Sequence, residues 1–172
     1  VADGITAARY EGIVFDGKGK AGVGILHPNK FFVTEARYRH LALLNFTDSG
    51  IKVDPKRVQA QAEASYENCY FENCGRGVAF LRWNDYNHVF DGCEFRNCGK
   101  GVSTGWGGNV YVYNSHFEGS TEVDVYARGE HGSSVRRCTS VGSRAFLHCV
   151  SVPPLTAQDC HVSGWTKPDG AV

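Results

Sequence analysis

The sequence predicts an all-β fold, a single-stranded parallel β-helix of about seven coils, because of its composition, an internal repeat and its turn residues. Glycine supplies 21 of the 172 residues, about 12%, where about 7% is usual. Valine, which favours strands, outnumbers leucine, which favours helices, by 19 to 7. Such a chain is expected to form many short strands joined by tight turns.

The repeat is clearest in two segments. Residues 67–78 read ENCYFENCGRGV and residues 91–102 read DGCEFRNCGKGV, so the pattern C-x-F-x-N-C-G-x-G-V recurs after 24 residues. A unit of this size cannot bury its own apolar face, and successive units must therefore stack. In a parallel β-helix each unit forms one coil, and equivalent residues form ladders about 4.8 Å apart. Asn73 and Asn97 then occupy one stacked turn position.

Three positions trace weaker copies of the repeat along the chain. The first cysteine position is assigned to Ile13, Ala42, Cys69, Cys93, Ser115, Cys138 and Cys160. The position two residues later is assigned to Phe15, Leu44, Phe71, Phe95, Phe117, Ser140 and Val162. A later apolar position, in the third strand of each coil, is assigned to Val23, Ile51, Val78, Val102, Val123 and either Ala145 or Phe146.

The string from Asn68 to Val78, with its coil of about 22 residues, resembles the right-handed parallel β-helix superfamily typified by pectin and pectate lyases. The segment from Gly12 to Gly19 is similar to the first strand and turn of many such proteins. The resemblance covers nearly the whole chain and implies a right-handed solenoid. The superfamily includes polysaccharide lyases, glycoside hydrolases, uronate epimerases, phage tailspikes and binding modules, so the fold alone does not choose a function.

Charge and length set further limits. Lys+Arg and Asp+Glu residues number 18 each, and zero net charge argues against a general nucleic-acid binder. No apolar run approaches the roughly 18–20 residues of a membrane span, so no membrane partner is expected. Residues 1–172 are predicted to form one β-helix domain or a section of a larger protein. Residues 54–64 break the repeat as a short helix or another ordered excursion.

The seven cysteines are predicted to be reduced, buried packing residues. Their spacing matches no zinc finger or zinc ribbon. Stacked cysteines would hold their Cβ atoms about 4.8 Å apart, farther than the roughly 3.8 Å of a disulfide. The remaining histidines are predicted at turns or on the surface: His27, His40, His88, His116 and His161.

The resemblance implies a substrate groove along the outside of one parallel sheet, and the third strand of each coil is expected to form that sheet. Alternation along the strands then predicts that Lys52, Asp54, Asp124 and Tyr126 face outward, while the orientation of His148 stays open. The predicted catalytic residues are Lys52, Asp54, Arg82, Asp124, Tyr126 and Arg128. The predicted substrate-binding residues are Trp83, Trp106, Asp85 and His131.

These residue types suit a polysaccharide partner. Aromatic rings stack on sugar rings, and Arg or Lys pairs with uronate carboxylates. Uronate β-elimination or epimerisation needs a base to remove the proton next to the carboxylate and a cation to neutralise that carboxylate. The segment from Gly50 to Pro55 resembles the strand that carries the Asp-Pro-His motif of alginate epimerases, although Lys56 replaces the histidine.

Several alternatives remain open at this stage. A glycoside hydrolase needs two carboxyl groups about 5–9.5 Å apart, and a non-catalytic carbohydrate-binding, tailspike-type or structural module needs no base. No cofactor is evident, and calcium, which prefers clustered carboxylates, lacks such a cluster in the sequence. Because neither end shows a capping helix, a homo-oligomer such as a trimer, or flanking domains, is expected to cover the ends. The expected location is extracellular, periplasmic or on a virion surface.

Overall fold

The protein is a parallel β-solenoid, seen in a computed structural model that describes residues 7–28, 33–54, 61–81, 85–105, 108–128, 131–150 and 155–164. Within these residues every regular element is a strand, and none is a helix. The strands are β1 (Arg9–Glu11), β2 (Val14–Asp16), β3 (Val23–His27), β4 (Val33–Thr34), β5 (Arg37–Arg39), β6 (Ala42–Leu44), β7 (Ser49–Val53), β8 (Gln61–Ala62), β9 (Ser65–Glu67), β10 (Tyr70–Glu72), β11 (Arg76–Phe80), β12 (Asp85–Asp91), β13 (Glu94–Arg96), β14 (Lys100–Thr104), β15 (Gly108–Tyr113), β16 (His116–Glu118), β17 (Val123–Ala127), β18 (Ser133–Arg136), β19 (Thr139–Val141), β20 (Leu147–Cys149), β21 (Leu155–Gln158) and β22 (His161–Ser163).

Three parallel sheets run along the solenoid. The first sheet has the order β1-β5-β9-β12-β15-β18-β21. In addition, β8 pairs with β12, and β4 pairs with β8. The second sheet is β2-β6-β10-β13-β16-β19-β22, and the third is β20-β17-β14-β11-β7-β3. Apart from β4 and β8, each complete coil gives one strand to each sheet. The six strands of the third sheet therefore correspond to about six turns of the chain. The predicted all-β solenoid is confirmed, close to the seven coils expected.

Aromatic ladders fill the interior. In the second sheet the rings of Phe71, Phe95 and Phe117 stack with centroids 4.9 Å apart at each step. In the first sheet Tyr38 and Tyr66 stack at 4.6 Å, and Tyr66 and Phe90 at 4.3 Å. Each coil therefore extends the apolar column of the coil before it, and stacked rings add to the stabilisation that burial provides.

The strand register corrects five of the predicted repeat assignments. Leu43, not Leu44, pairs with Phe15 and Phe71, and Leu41 consequently precedes it at the cysteine position. In the third sheet the apolar ladder runs through Ile25, Ile51, Val78, Val102, Val125 and Leu147. Val23 and Val123 had been placed in this ladder two residues too early, and Leu147 continues it in place of the predicted Ala145 or Phe146.

Asparagine and glycine form the corners, as predicted. Asn45, Asn73 and Asn97 follow the strands of the second sheet with φ of 60°, 52° and 50°, and Gly119 continues their column. These left-handed angles favour Gly and Asn. The Asn73 side-chain amide donates to Asn45 Oδ1 at 3.1 Å, which ties consecutive coils together.

A column of glycines lets the third sheet approach the phenylalanine ladder. A Cβ on Gly77 would lie 2.6 Å from the ring of Phe95, and one on Gly101 would lie 2.7 Å from the ring of Phe117. Neither distance is compatible with a real side chain. The C-G-x-G-V segment of the repeat is therefore a packing motif in which glycine makes room for the ring of the next coil.

All seven cysteines are thiols, and five of them are buried. Cys69, Cys93 and Cys138 share one inward column, and the sulfhydryl of each donates to a backbone carbonyl one coil earlier. Ser115 holds the same position in the coil between Cys93 and Cys138. These residues line the core beside the phenylalanine ladder.

Two histidines predicted at turns or on the surface are fully buried, and that prediction was wrong for them. His27 Nε2 shares a 2.6 Å hydrogen bond with the Tyr38 hydroxyl, which also accepts one from the Gln61 side chain. His88 stacks on Phe80 with ring centroids 3.9 Å apart, and burial lowers its pKa to about 3. The solenoid thus encloses a polar cluster near its N-terminal half.

Candidate functional site

The outer face of the third sheet carries the residues expected to form a groove. The register aligns one outward column across six coils: Leu26, Lys52, Ala79, Ser103, Tyr126 and His148. The outward positions of Lys52 and Tyr126 agree with the prediction, and His148 joins them. Between Lys52 and Tyr126 the column passes through Ala79 and Ser103, which are both buried.

Lys52 lies between two carboxylates at the N-terminal end of this column. Its ammonium is 2.7 Å from Asp48 Oδ2 and 3.8 Å from Asp54 Oδ2. Burial alone would raise the pKa of Asp48, but hydrogen bonds from Lys52 and Ser49 outweigh burial and keep that pKa below its usual value. Lys52 is therefore an ion-paired cation, and Asp48 is held in its ionised form.

A second cluster lies at the other end of the column. Lys100 Nζ is 4.7 Å from the centroid of the Tyr126 ring, and the His148 ring meets Tyr126 edge-on with centroids 5.2 Å apart. Glu122 Oε2 lies 3.2 Å from Lys100 Nζ. A cation, a phenol and an imidazole thus converge on one outer surface. Sequence reasoning missed Lys100, although Arg76 and Lys100 hold matching positions between the repeat glycines and pair in register.

Asp124, a predicted catalytic residue, lies inside the solenoid, so its predicted outward orientation was wrong. Its side chain is fully buried and accepts a hydrogen bond from the Ser140 hydroxyl. The register places it level with Gly101, whose Cβ would point into the core. Burial raises the pKa of Asp124, and the neighbouring serine hydroxyls offset only part of that rise. A groove on the outer face cannot use this carboxylate.

Asp85, a predicted substrate-binding residue, is also fully buried. It is the first residue of β12 rather than part of an exposed turn, and its Oδ1 accepts a 3.1 Å hydrogen bond from the Gln61 backbone amide. This carboxylate joins β12 to the short strand β8, which explains why it faces inward. The expectation that it lies exposed in a turn was therefore wrong.

The other predicted site residues are spread over the solenoid. The Arg128 amide donates to Thr104 Oγ1 at 2.7 Å, which places Arg128 half-buried at the end of β17. His131 packs against Tyr86 of the first sheet, with ring centroids 5.0 Å apart, rather than within the Tyr126 cluster. Arg82, Trp83 and Trp106 lie outside the described residues, as does most of the 54–64 excursion, of which Gln61 and Ala62 form β8.

A family model described as a right-handed β-helix region matches residues 22–166. The chain belongs to the right-handed β-helix family. No curated protein matches it. Among solved structures the β-helix is similar to the "Siphovirus 9NA tailspike receptor binding domain", with 13% identity over 97% of this chain and 47% of that one and a TM-score of 0.36. The β-helix thus spans about half the length of that chain, and so distant a likeness carries no argument about function.

Within the described part of this β-helix, the groups on the outer face set the chemistry that is available. No three His, Cys, Asp or Glu side chains there come together as a metal site. Those residues also contain no helix with the length and apolar character needed to cross a bilayer. What the face does offer is an ammonium group, a phenol and an imidazole close together, at Lys100, Tyr126 and His148.

Proposed function

We propose that this β-helix binds an acidic polysaccharide along the outer face of its third sheet, with β-elimination or epimerisation of a uronate at Lys100, Tyr126 and His148. The observation that carries the proposal is the convergence of these three side chains on that face. Lys100 supplies positive charge, and the Tyr126 and His148 rings supply surfaces on which a sugar can stack.

The length of the face suits an extended chain. Lys52 and Tyr126 stand three coils apart, about 14 Å at the usual strand spacing, with the buried residues Ala79 and Ser103 between them. A chain of several sugars laid along the column would contact the Lys52 and Lys100 ammonium groups, which are paired with carboxylates, and the Tyr126 ring. Trp83 and Trp106 remain predicted contacts of the same chain.

Elimination and epimerisation share a first step that this cluster suits. A base removes the proton from the carbon next to the uronate carboxylate, and a cation stabilises the negative charge that develops. In the proposed arrangement Tyr126 as phenolate or His148 as imidazole takes the proton, the other ring donates one, and Lys100 faces the carboxylate. Elimination then expels the glycosidic oxygen, which takes up the donated proton, whereas epimerisation delivers that proton to the opposite face of the same carbon.

Hydrolysis is less well supported by the same face. A hydrolase needs one protonated carboxyl group as a general acid. Asp48 and Asp54 both contact the Lys52 ammonium, and Glu122 contacts Lys100. Hydrogen bonds from Lys52 and Ser49 hold the pKa of Asp48 below its usual value, which favours its ionised form. Asp124, whose pKa is raised, lies inside the solenoid and cannot reach a substrate.

The test is to incubate the full chain with polygalacturonate, alginate and glycosaminoglycans, and to analyse the products by mass spectrometry. Elimination is expected to give unsaturated oligosaccharides, lighter by one water than hydrolysis products. Because epimerisation conserves mass, NMR of the polymer reports inversion at C5. Saturated fragments would instead indicate a hydrolase and contradict the proposed chemistry.

Variants separate catalysis from binding. Tyr126→Phe or His148→Gln is expected to lower turnover by about 100-fold or more, the usual contribution of a general base, with little loss of affinity. Lys100→Gln is expected to weaken binding about tenfold, as loss of a charged contact does. Lys20→Gln, an exposed lysine in the turn between β2 and β3, is the matched control. Binding that needs Lys100 but comes with no product would support a non-catalytic carbohydrate-binding module instead.

A further inference from the structure

A small cleft on the outer face of the first sheet lies apart from the face described above. Its lining residues are Arg9, Tyr10, Glu11, Arg37 and Arg39, and its volume is about 50 Å³. That volume exceeds the roughly 10–15 Å³ that a cavity needs, on the same measure, to hold one water molecule. Strands β1 and β5 form its floor, with Arg9 level with Arg37 and Glu11 level with Arg39.

One of the two outward columns at this cleft carries two negative charges and one positive charge. Glu11, Arg39 and Glu67 lie in register on three consecutive coils. Arg39 Nε and NH2 contact Glu67 Oε2 at 2.8 Å and 2.7 Å. The hydrogen bond to Glu67 is the main cause of the raised pKa of Arg39, and Glu11 adds a smaller effect. Arg39 is thus paired within its own column, and Glu11 leaves that column with one excess negative charge.

The other column carries two positive charges and no acidic residue among Arg9, Arg37 and Ser65. Arg9 and Arg37 are exposed and point outward side by side, followed in register by Ser65. Within the described part of the chain neither guanidinium forms an ion pair with a carboxylate. Like charges directly opposite on neighbouring strands destabilise a sheet. A bound anion would remove that repulsion.

We propose that Arg9 and Arg37 bind a tetrahedral oxyanion, the sulfate or phosphate ester of a ligand, with the Ser65 hydroxyl as a third donor. Two guanidiniums on successive coils offer more donors than the two oxygens of a carboxylate can accept, whereas a sulfate or phosphate ester presents three terminal oxygens. A phosphate ester also carries a charge of about −1.5 to −2, which matches two arginines. This site lies on a different sheet and does not rest on the proposed function.

The arginine side chains themselves report the binding. In NMR titrations of the full chain at constant ionic strength, glucose 6-phosphate and glucosamine 6-sulfate serve as phosphate and sulfate probes, and glucuronate serves as the carboxylate probe. The Nε–Hε signals of Arg9 and Arg37 are expected to move along a saturable curve with at least one of the two esters. The ester that binds more tightly identifies the source of the oxyanion. Arg136, exposed on the outer face of the same sheet between Tyr113 and Gln158, is the internal control.

Two variants complete the test. Arg37→Gln is expected to weaken binding at least tenfold, while Arg136→Gln leaves the affinity unchanged. Equal shifts at Arg136, an unaltered affinity in Arg37→Gln, or binding of glucuronate as tight as that of either ester would each overturn the proposal. Because both residues are exposed on the sheet surface, neither variant is expected to disturb the fold.

Discussion

The Asp124 carboxylate and the Ser140 hydroxyl form a buried hydrogen bond at a place where earlier coils hold a glycine and a phenylalanine. In those coils the Cβ position of the glycine points at the phenylalanine ring of the next coil. At this level Ser140 takes the place of the phenylalanine, and Asp124 takes the place of the glycine. The corresponding pairs are Gly50 with Phe71, Gly77 with Phe95, and Gly101 with Phe117.

Restoring the pattern at this level should stabilise the solenoid. Ser140→Phe alone is expected to lower the free energy of unfolding by about 1–3 kcal/mol, because the ring would meet the Asp124 carboxylate. Asp124→Gly alone should also destabilise, since it removes the partner of Ser140. In the double variant the new ring can stack on Phe117, and we expect a favourable coupling of about 1–3 kcal/mol. A double-mutant cycle in urea measures it, and additive effects would contradict the interpretation.

Asp124 should also make stability depend on pH. Its folded-state pKa is raised by burial, so the folded state holds the proton more tightly than the unfolded state does. Its contribution to stability is therefore complete below about pH 4, the usual carboxyl pKa, and is lost as pH rises through the folded-state value. Asp124→Asn keeps the shape without this titration. The difference between the unfolding free energies of wild type and Asp124→Asn should accordingly fall with rising pH.

The comparison with Asp124→Asn is needed because other titrating groups change the stability with pH in the opposite direction. The lowered pKa of buried His88, about 3, makes the folded state lose stability as pH falls below the usual histidine range. The lowered pKa of Asp48 likewise makes the folded state lose stability as pH falls, but in more acidic solution. Both effects are common to wild type and variant, and they cancel in the difference. A difference that stays constant from pH 3.5 to pH 7.5 would show that Asp124 does not titrate abnormally.

The ladders could be predicted from the sequence because each position of the repeat has the same structural role in successive coils. Phe71, Phe95 and Phe117 share a column because a coil of 22–24 residues returns the chain to the same place. Asn73 and Asn97 mark a corner that requires a left-handed backbone. The longer first coils were harder, since an alternation of apolar residues fits two registers, and Leu43 was mistaken for Leu44.

Alternation along the strands was not enough to predict whether an acidic side chain faces the core or the solvent. Val123 was aligned with Val102, but the true equivalent of Val102 is Val125, which makes Asp124 the counterpart of Gly101. Strict alternation also fails at the start of the third strand, where the glycine and the following valine both face the core. Aligning the dipeptides Gly77-Val78, Gly101-Val102 and Asp124-Val125 would have placed Asp124 inside. The convergence of Lys100, Tyr126 and His148 depends on three different coils and needs the register.

Glycine at position 77 should be irreplaceable for steric reasons. A Cβ there would lie 2.6 Å from the Phe95 ring and 2.7 Å from the Gly101 carbonyl oxygen, so Gly77→Ala is expected to cost about 1–3 kcal/mol through overpacking. The matched control is Gly22→Ala, because nothing lies within 4 Å of a Cβ at Gly22. Urea denaturation of both variants tests the prediction. Equal stability of the two would mean that the ring and the glycine are not in contact.

Thiol reactivity should follow position in the solenoid. Cys149 is exposed and Cys160 is partly exposed, whereas the other five cysteines are buried. Burial raises the pKa of Cys93, and that of Cys138 to about 11, which further slows their reaction because the thiolate is the reactive form. Titration of the native protein with Ellman's reagent is therefore expected to show one fast thiol and a second, slower one.

Two further measurements make the thiol prediction decisive. Cys149→Ser should abolish the fast phase, and all seven thiols of the wild type should react once the protein is unfolded in denaturant without reductant. Fewer than seven in denaturant would reveal a disulfide within the stack. Fast reaction of Cys69, Cys93 or Cys138 in the native protein would show that the coils separate readily. Both outcomes would contradict a core in which stacked thiols donate to carbonyls one coil earlier.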